Sequence, residues 1–389
     1  MRYRSNRVSS IPPYTFLEMK KHKEKLIEQG VDIIDLGMGD PDLPTHPHVV
    51  EKLMEELQDS NNLKYPNPIG CIEYRKAVAH FYKKQYDVDL NPETEVIALI
   101  GSKEGTANLI PALIDPGETV LIPDPAYPVY EMATILANGR CYKMPLEEEN
   151  NYEPEISSIP DHVIKEAKLM FLNYPNNPTT ACVDVDFFQR VCNFAKKNEL
   201  IIANDSAYNM VSYGEYKPPS ILQANGAMEV AVEFGTLSKT FNMTGFRIGY
   251  MVGNAEVIKS LSILKGNIDT GQFTPIQKAA AYALQGDYHC IEEYNGIYQS
   301  RLNAVVEALK SIGVVDIEVP KAAYFVWARV PKGYTSAEFA QFVLEKTGVI
   351  ITPGTAFGEN GEGYFRIAVS VDSHRIQEAV TRIKNKLFL

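Results

Sequence analysis

Between about residues 95 and 255 the chain alternates short, nearly unbroken apolar runs with stretches in which apolar residues recur every three or four positions. Val96–Ile100, Thr119–Ile122, Leu169–Leu172, Leu200–Ala203, Val230–Phe234 and Ile248–Val252 are such runs. They are too short for helices and too uniformly apolar for a sheet wetted on one side, so they read as strands buried on both faces. Between them, the stretch from Asp186 to Asn198 places Phe187, Phe188, Val191, Cys192 and Ala195 on one helical face. The pattern predicts an α/β fold, with a mostly parallel sheet in an α-β-α layered large domain. After Pro275 the texture changes. A helical region of about 276–312 precedes a strand at Tyr324–Ala328, a helix from Ser336 to Lys346, a strand at Tyr364–Val369 and a helix from Ser373, which together predict a smaller α+β domain. The first 40 residues lack strand–helix alternation, and Pro12-Pro13 marks an extended arm. The expected division is an arm of 1–44 joining the small domain, a large domain of 45–274 and a small domain of 275–389.

Composition narrows the class. With 389 residues, 45% hydrophobic and 22% charged, the chain has the make-up of a globular protein. No apolar run approaches the roughly 18 residues of a membrane span, and no apolar signal segment follows the start, so a cytoplasmic protein is expected. Thirty-eight basic against 49 acidic side chains leave a net charge of −11, which disfavours nucleic acid as a partner. Five cysteines without a C-x-x-C spacing favour neither a disulfide framework nor a zinc site. His46 and His48, the only histidines close together, flank Pro47 and make a poor clamp, so no metal is expected.

Chemistry collects where apolar strands end. Thr236-Leu237-Ser238-Lys239 and Arg247 follow one strand. A lysine there could form a Schiff base with an aldehyde cofactor, while hydroxyls and a guanidinium bind its phosphate. Taken alone, it could equally be a solvated lysine in a turn. Asp205 follows Leu200–Ala203, with Tyr208 three positions on. The carboxylate could pair with a protonated ring nitrogen and keep the ring an electron sink, or it could cap a helix. Gly101-Ser102-Lys103-Glu104-Gly105 offers backbone N–H groups at a helix start as a phosphate cradle. Lys103 opposes the helix dipole there, which a bound anion would relieve, as Glu104 could in part. Asn173-Tyr174-Pro175-Asn176-Asn177-Pro178 is a proline-fixed turn from which Asn177 could donate an amide. Arg366 interrupts an apolar strand and suits a substrate carboxylate or a buried ion pair.

These segments, read together, resemble the aspartate aminotransferase family, the fold-type-I pyridoxal-phosphate enzymes of class I/II. The resemblance runs from Gly37-x-Gly39-x-Pro41 to Arg366, and Thr-Leu-Ser-Lys…Thr-Gly-Phe-Arg-Ile-Gly is its most specific part. It implies that the 45–274 domain binds pyridoxal 5′-phosphate. Lys239 would then hold the cofactor and shuttle the proton, with Asp205 on the pyridine nitrogen and Asn177 and Tyr208 beside the ring oxygen. Ser102, Lys103, Ser238 and Arg247 would bind phosphate, and Tyr127 would stack on the ring. Tyr65 would reach the neighbouring subunit's phosphate, which implies a homodimer with shared active sites. Gly39 and Arg366 would hold the substrate carboxylate. Two positions depart from the family's habit: Thr180 stands where glycine usually follows Asn-Pro-Thr, and Ala126 precedes the stacking aromatic in place of glycine. Pro12-Pro13-Tyr14, the 101–105 turn and Asn267-Ile268-Asp269-Thr270-Gly271 look like the branch related to LL-diaminopimelate aminotransferases, in which residues matching Tyr14, Lys103 and Asn267 lie near the substrate. The expected reaction is a ping-pong transfer of an amino group between an L-amino acid and a 2-oxo acid.

The same site could instead support β-elimination from sulfur amino acids (a C–S lyase) or α,γ-elimination on an S-adenosyl substrate. A non-catalytic effector-binding protein is a further alternative, though no DNA-binding module precedes the arm. A nicotinamide dehydrogenase fits poorly: Gly37-Met38-Gly39-Asp40-Pro41 lacks a third glycine and has proline where a helix should begin.

Overall fold

A computed structural model describes residues 3–12, 23–314 and 316–387. Its centre is a seven-stranded sheet of β2 (Val96–Leu99), β3 (Thr119–Asp124), β4 (Arg140–Pro145), β5 (Ala167–Leu172), β6 (Ile201–Asp205), β7 (Ala231–Thr236) and β8 (Gly249–Gly253), in the order β2-β8-β7-β6-β5-β3-β4. Only β8 runs against its neighbours, pairing antiparallel with β2 and β7. The continuous apolar runs are explained by burial. Ile97, Leu99, Val120, Leu169, Phe171 and Val232 face one apolar cluster, while Ala98, Leu121, Met170, Leu172 and Ile202 face another on the opposite side.

The edge strand β4 escaped the sequence reading. Arg140 and Pro145 are exposed and Cys141 to Lys143 half-buried, so its pattern is mixed where a central strand's is apolar. The helical region expected over 276–312 is two helices, Thr274–Gln285 and His289–Ser311. They part at Gly286–Tyr288, where Tyr288 takes a left-handed φ of 68°. The first packs on the helices Pro47–Glu56 and Ile72–Tyr86, and the second packs on the C-terminal helix Ser373–Lys386. A third apolar cluster gathers the C-terminal part of the chain around Tyr298, Leu302, Phe325, Phe339 and Ile376. Ile34 and Leu36 also belong to it, because β1 (Ile34–Asp35) pairs in parallel with β10 (Val349–Ile350). β9 (Phe325–Arg329), β11 (Thr352–Pro353) and β12 (Tyr364–Ala368) form a separate antiparallel sheet in the order β11-β12-β9. Of the expected extended arm, residues 6–10 are instead a short helix, Asn6–Ser10, capped by Ser5; Pro13 lies outside the described residues.

Connections that follow β2, β3, β5, β6 and β7 all leave from the carboxyl ends of strands running in one direction, which is where open α/β sheets place ligands. No helix among the described residues is long and apolar enough to cross a membrane, and no group of three or more His, Cys, Asp or Glu side chains there could hold a metal ion.

Candidate active site

Those strand ends, joined by the segment after β1 and by β9 and β12, enclose one cavity of about 380 Å³, within the range of small-molecule sites. Gly39, Ser102, Lys103, Tyr127, Asn177, Asp205, Tyr208, Ser238, Lys239, Arg247 and Arg366 all line it. Asn267, expected near the substrate, does not line it. Tyr65 is not on this cavity and is 92% exposed, and Tyr14 lies outside the described residues.

Lys239 is delivered by β7. Thr236 Oγ1 accepts from Ser238 N (3.2 Å) and opens the short helix Leu237–Thr240, which turns the lysine toward the cavity. Its Nζ donates to Gly39 O at 3.0 Å and stands 4.0 Å from Asp40 Oδ1. Burial lowers its pKa to about 8; Asp40 opposes this, and Arg366 and Arg247 add to it. At neutral pH a neutral amine is therefore close at hand.

Asp205 ends β6 and is buried. No helix begins at Asp205, which leaves the capping role unused. Instead Oδ2 accepts from Tyr130 Oη at 2.8 Å, and Oδ1 has no hydrogen-bond partner of normal geometry among the described residues. Burial raises its pKa to about 6, against the pull of Tyr130 and the Ala207 N–H. Tyr208 packs edge-on against Tyr324 and Phe325, each at 5.5 Å, and burial holds its phenol neutral well beyond the usual range.

The loop after β5 is folded by its own asparagines. Asn173 Nδ2 donates to Asp205 O (2.6 Å), and Asn173 Oδ1 accepts from Asn177 N (2.9 Å). Asn177 Oδ1 accepts from Arg366 Nη1 at 2.8 Å, which leaves the Asn177 amide NH2 as the group to donate elsewhere. Arg366, buried in β12, also donates Nη2 to Gly37 O (2.7 Å) and is flanked by the rings of Phe325 and Phe357 at 4.3 and 4.6 Å. Both oxygens named here are uncharged. Burial lowers its pKa to about 10, so it stays a cation at neutral pH.

At the other end, Gly101 (φ 77°) precedes the helix Ser102–Leu113. The Arg247 guanidinium lies so close to Gly101 that a side chain there would collide with it. Arg247 holds a left-handed φ of 53°, with Nη1 donating to Thr244 O (2.8 Å) and its carbonyl accepting from Gln272 Nε2. Glu104 has other partners. It accepts from Ile100 N (3.0 Å) and meets the buried Lys265, while Lys103 Nζ stands 5.6 Å from the Tyr127 ring centre. Ser238 Oγ is buried with no hydrogen-bond partner among the described residues.

The two departures differ in consequence. Ala126 is not among the positive-φ residues and donates its N–H to Phe357 O (2.8 Å), so it tolerates a side chain. Thr180 takes φ 62°, a conformation that disfavours a β-branched residue. Tyr130, Asn173, Thr244, Gln272, Tyr324 and Phe325 were not legible as site residues. Tyr130, three positions beyond Tyr127 on the next helix, had the nearest thing to a signal.

Asp205 Oδ1 and Ser238 Oγ, both buried and without a hydrogen-bond partner of normal geometry among the described residues, belong to the same cavity as Ser102, Lys103, Lys239 and Arg247. That donor set fits a phosphorylated, ring-protonated aldehyde cofactor, and the fold and pocket define a pyridoxal-phosphate-dependent transaminase. The chain belongs to aminotransferase class I and II, whose family model matches residues 31–383. It is 48% identical over 383 residues to the LL-diaminopimelate aminotransferase of Moorella thermoacetica and 49% identical over 381 residues to that of Aquifex aeolicus, in each case over 98% of both chains. Among solved structures, substrate-bound BacF from Bacillus subtilis matches with a TM-score of 0.95 at 38% identity, covering 100% of this chain and 99% of that one.

Proposed function

We propose that this transaminase moves the amino group of LL-diaminopimelate, or of a closely related amino acid, to a 2-oxo acid in two half-reactions. The relatives named above support the substrate class, because they match the chain over nearly its whole length. The observation that carries the chemistry is the meeting of the Lys239 amine, the Asp205 carboxylate and the Arg366 guanidinium in one cavity.

Pyridoxal phosphate, when bound, supplies a ring that accepts the electron pair left as the α-proton departs. The protein's part is to hold, orient and protonate. Arg366 binds the α-carboxylate through its planar fork, with Gly39 alongside. Lys239 Nζ, with its pKa lowered to about 8, takes the α-proton and returns it at the neighbouring carbon. Asp205, anionic above about pH 6, keeps its positive partner charged. Ser102, Lys103, Ser238 and Arg247 anchor the phosphate, Asn177 and Tyr208 hold the ring oxygen, and Tyr127 covers a ring face.

The same reading makes the working protein a cytoplasmic homodimer in which Tyr65, solvent-exposed in a single chain, completes the partner's phosphate site. It divides the chain into an arm (1–44), a cofactor-binding unit (45–274) and a C-terminal unit (275–389). The apolar cluster that joins Ile34 and Leu36 to the C-terminal part supports the arm's assignment.

The test is a single-turnover panel in which the yellow protein is mixed with individual amino acids and no acceptor. LL-diaminopimelate should bleach it once and stall until a 2-oxo acid is added. Bleaching only by aromatic or branched amino acids would reject the substrate, and continuous release of pyruvate and ammonia would make the protein a lyase. Lys239→Ala should fold and lose turnover.

A further inference from the structure

Asp205 is served by a residue to which neither the motifs nor the family resemblance assigns a part. Tyr130 lies in the helix Val129–Leu136, behind the residues that line the cavity, and has no solvent exposure. Its ring stacks on Phe171 of β5 (4.9 Å, 19° between planes), and its carbonyl accepts from Thr134 Oγ1 at 2.7 Å. Both the ring plane and the backbone are therefore fixed. The hydroxyl has one destination, Asp205 Oδ2 at 2.8 Å. The carboxylate's other oxygen is left buried and without a partner of normal geometry among the described residues.

We propose that Tyr130 is the positioning residue of the proton site: it pins one oxygen of Asp205, turns the other into the cavity, and holds the carboxylate in its ionised form. The proposal rests on Asp205 pairing with the cofactor's ring nitrogen, as argued above. A phenol donating to a carboxylate weakens its hold on a proton, so that proton stays on the ring nitrogen and the ring keeps its electron-accepting charge. Burial keeps the Tyr130 phenol itself neutral. The other titratable groups facing the pair are the phenols of Tyr127 and Tyr208, and Tyr208 is held neutral in the same way. The hydroxyl could instead be an ordinary buried donor satisfied by the nearest acceptor. In that case its loss would affect folding and leave the cofactor's electronics unchanged.

The experiment uses the cofactor-loaded enzyme. Tyr130→Phe removes one oxygen and keeps the stack on Phe171. A stronger hold on the proton by Asp205 takes positive charge off the ring, so the nitrogen joining Lys239 to the cofactor should keep its own proton to higher pH. The pH midpoint of the bound cofactor's visible absorbance should rise by about one unit, and kcat should fall about tenfold while KM stays within about twofold. Placing 3-fluorotyrosine at position 130, which keeps the hydroxyl and makes it a stronger donor, should move the midpoint down; this variant decides the matter if Tyr130→Phe does not fold. Asp205→Asn is the control. If it changes the absorbance while the midpoints of both Tyr130 variants match the unmodified enzyme, the role of Tyr130 is wrong and that of Asp205 stands. If Asp205→Asn itself leaves absorbance and turnover unchanged, both fall.

Discussion

Replacing Lys265 by methionine should weaken the protein far more than the loss of an ordinary lysine. The side chain has no solvent exposure, and its Nζ lies 3.0 Å from both Glu104 oxygens and 2.8 Å from Asp269 Oδ2. Glu104 also accepts from Ile100 N (3.0 Å) and Asn108 Nδ2 (2.5 Å), and Asp269 Oδ1 accepts from Gly271 N (2.8 Å). One ammonium thus ties the turn that carries Ser102 and Lys103 to the segment that follows the helix Ala255–Gly266. At these distances and an effective dielectric of about 20, each of the two carboxylates supplies roughly 5–6 kcal/mol of attraction, most of it offset by the cost of taking the ammonium out of water. Removing only the cation is the expensive change. Lys265→Met leaves two carboxylates, 20% and 16% exposed, against each other and a thioether, at a cost of about 3–5 kcal/mol. Adding Glu104→Gln and Asp269→Asn removes the stranded charges and should recover about half of that loss. Urea unfolding of the cofactor-loaded protein measures both as shifts in midpoint at constant slope. A single variant within about 1 kcal/mol of the parent, or a triple variant no better than the single, would refute the account.

Three further outcomes follow from the same geometry. Arg366→Lys cannot reach both Asn177 Oδ1 and Gly37 O with one ammonium; KM for the amino acid should rise about 10- to 100-fold, with kcat changed much less, as steady-state kinetics will read. Thr180→Gly relieves a left-handed β-branched residue; the relief, about 1–2 kcal/mol, exceeds the added backbone entropy of about 0.5–1 kcal/mol, so thermal unfolding should move up slightly. Without cofactor, Asp205 ionises near pH 6 when folded and at its ordinary 3.8 when unfolded. The folded state then binds the extra proton between those values, and stability falls as pH rises from about 4 to 6, by about 3 kcal/mol at about 1.4 kcal/mol per unit. Asp205→Asn should flatten that slope in unfolding curves of the cofactor-free protein.

How much of this was legible in the sequence depends on what each residue touches. The central strands were readable because burial on both faces makes them apolar without interruption, and β4 was not because an edge keeps Arg140 and Lys143 near water. Strands of two residues, such as β1, β10 and β11, are too short to carry any period. The break between the two long helices has no proline, and a tyrosine in the left-handed region is not a signature of one. At the site, residues that immediately follow a strand were found because position and chemistry coincide there. Tyr130 and the Lys265–Glu104 pair were missed because the partners stand 75 and 161 residues apart; of the partners described, only Asp269, four positions beyond Lys265, is close in sequence. Tyr130 in its helix announces nothing until the fold supplies the carboxylate of Asp205, and the spacing of Lys265 and Asp269 does not disclose Glu104.

The fold also explains why a pocket at the end of a parallel sheet needs the C-terminal strands. Gly39 O accepts from both Lys239 Nζ and Tyr324 Oη, each at 3.0 Å, and Gly37 O accepts from Arg366 Nη2 and Thr352 Oγ1. Asp42, further along the same segment, receives both terminal nitrogens of Arg301 at 2.8 and 2.9 Å. The segment after β1 is therefore held from both sides, by the lysine of the sheet and by cations and hydroxyls of the C-terminal part. Asn177 closes the circuit, since its oxygen faces Arg366 while its amide is left for the ring side. A displacement of β12 that moved Arg366 would pull on Asn177 and Gly37 together. The groups proposed to hold the substrate carboxylate and the cofactor ring are thus mechanically one unit, built from segments that are scattered along the chain and meet only in the folded state.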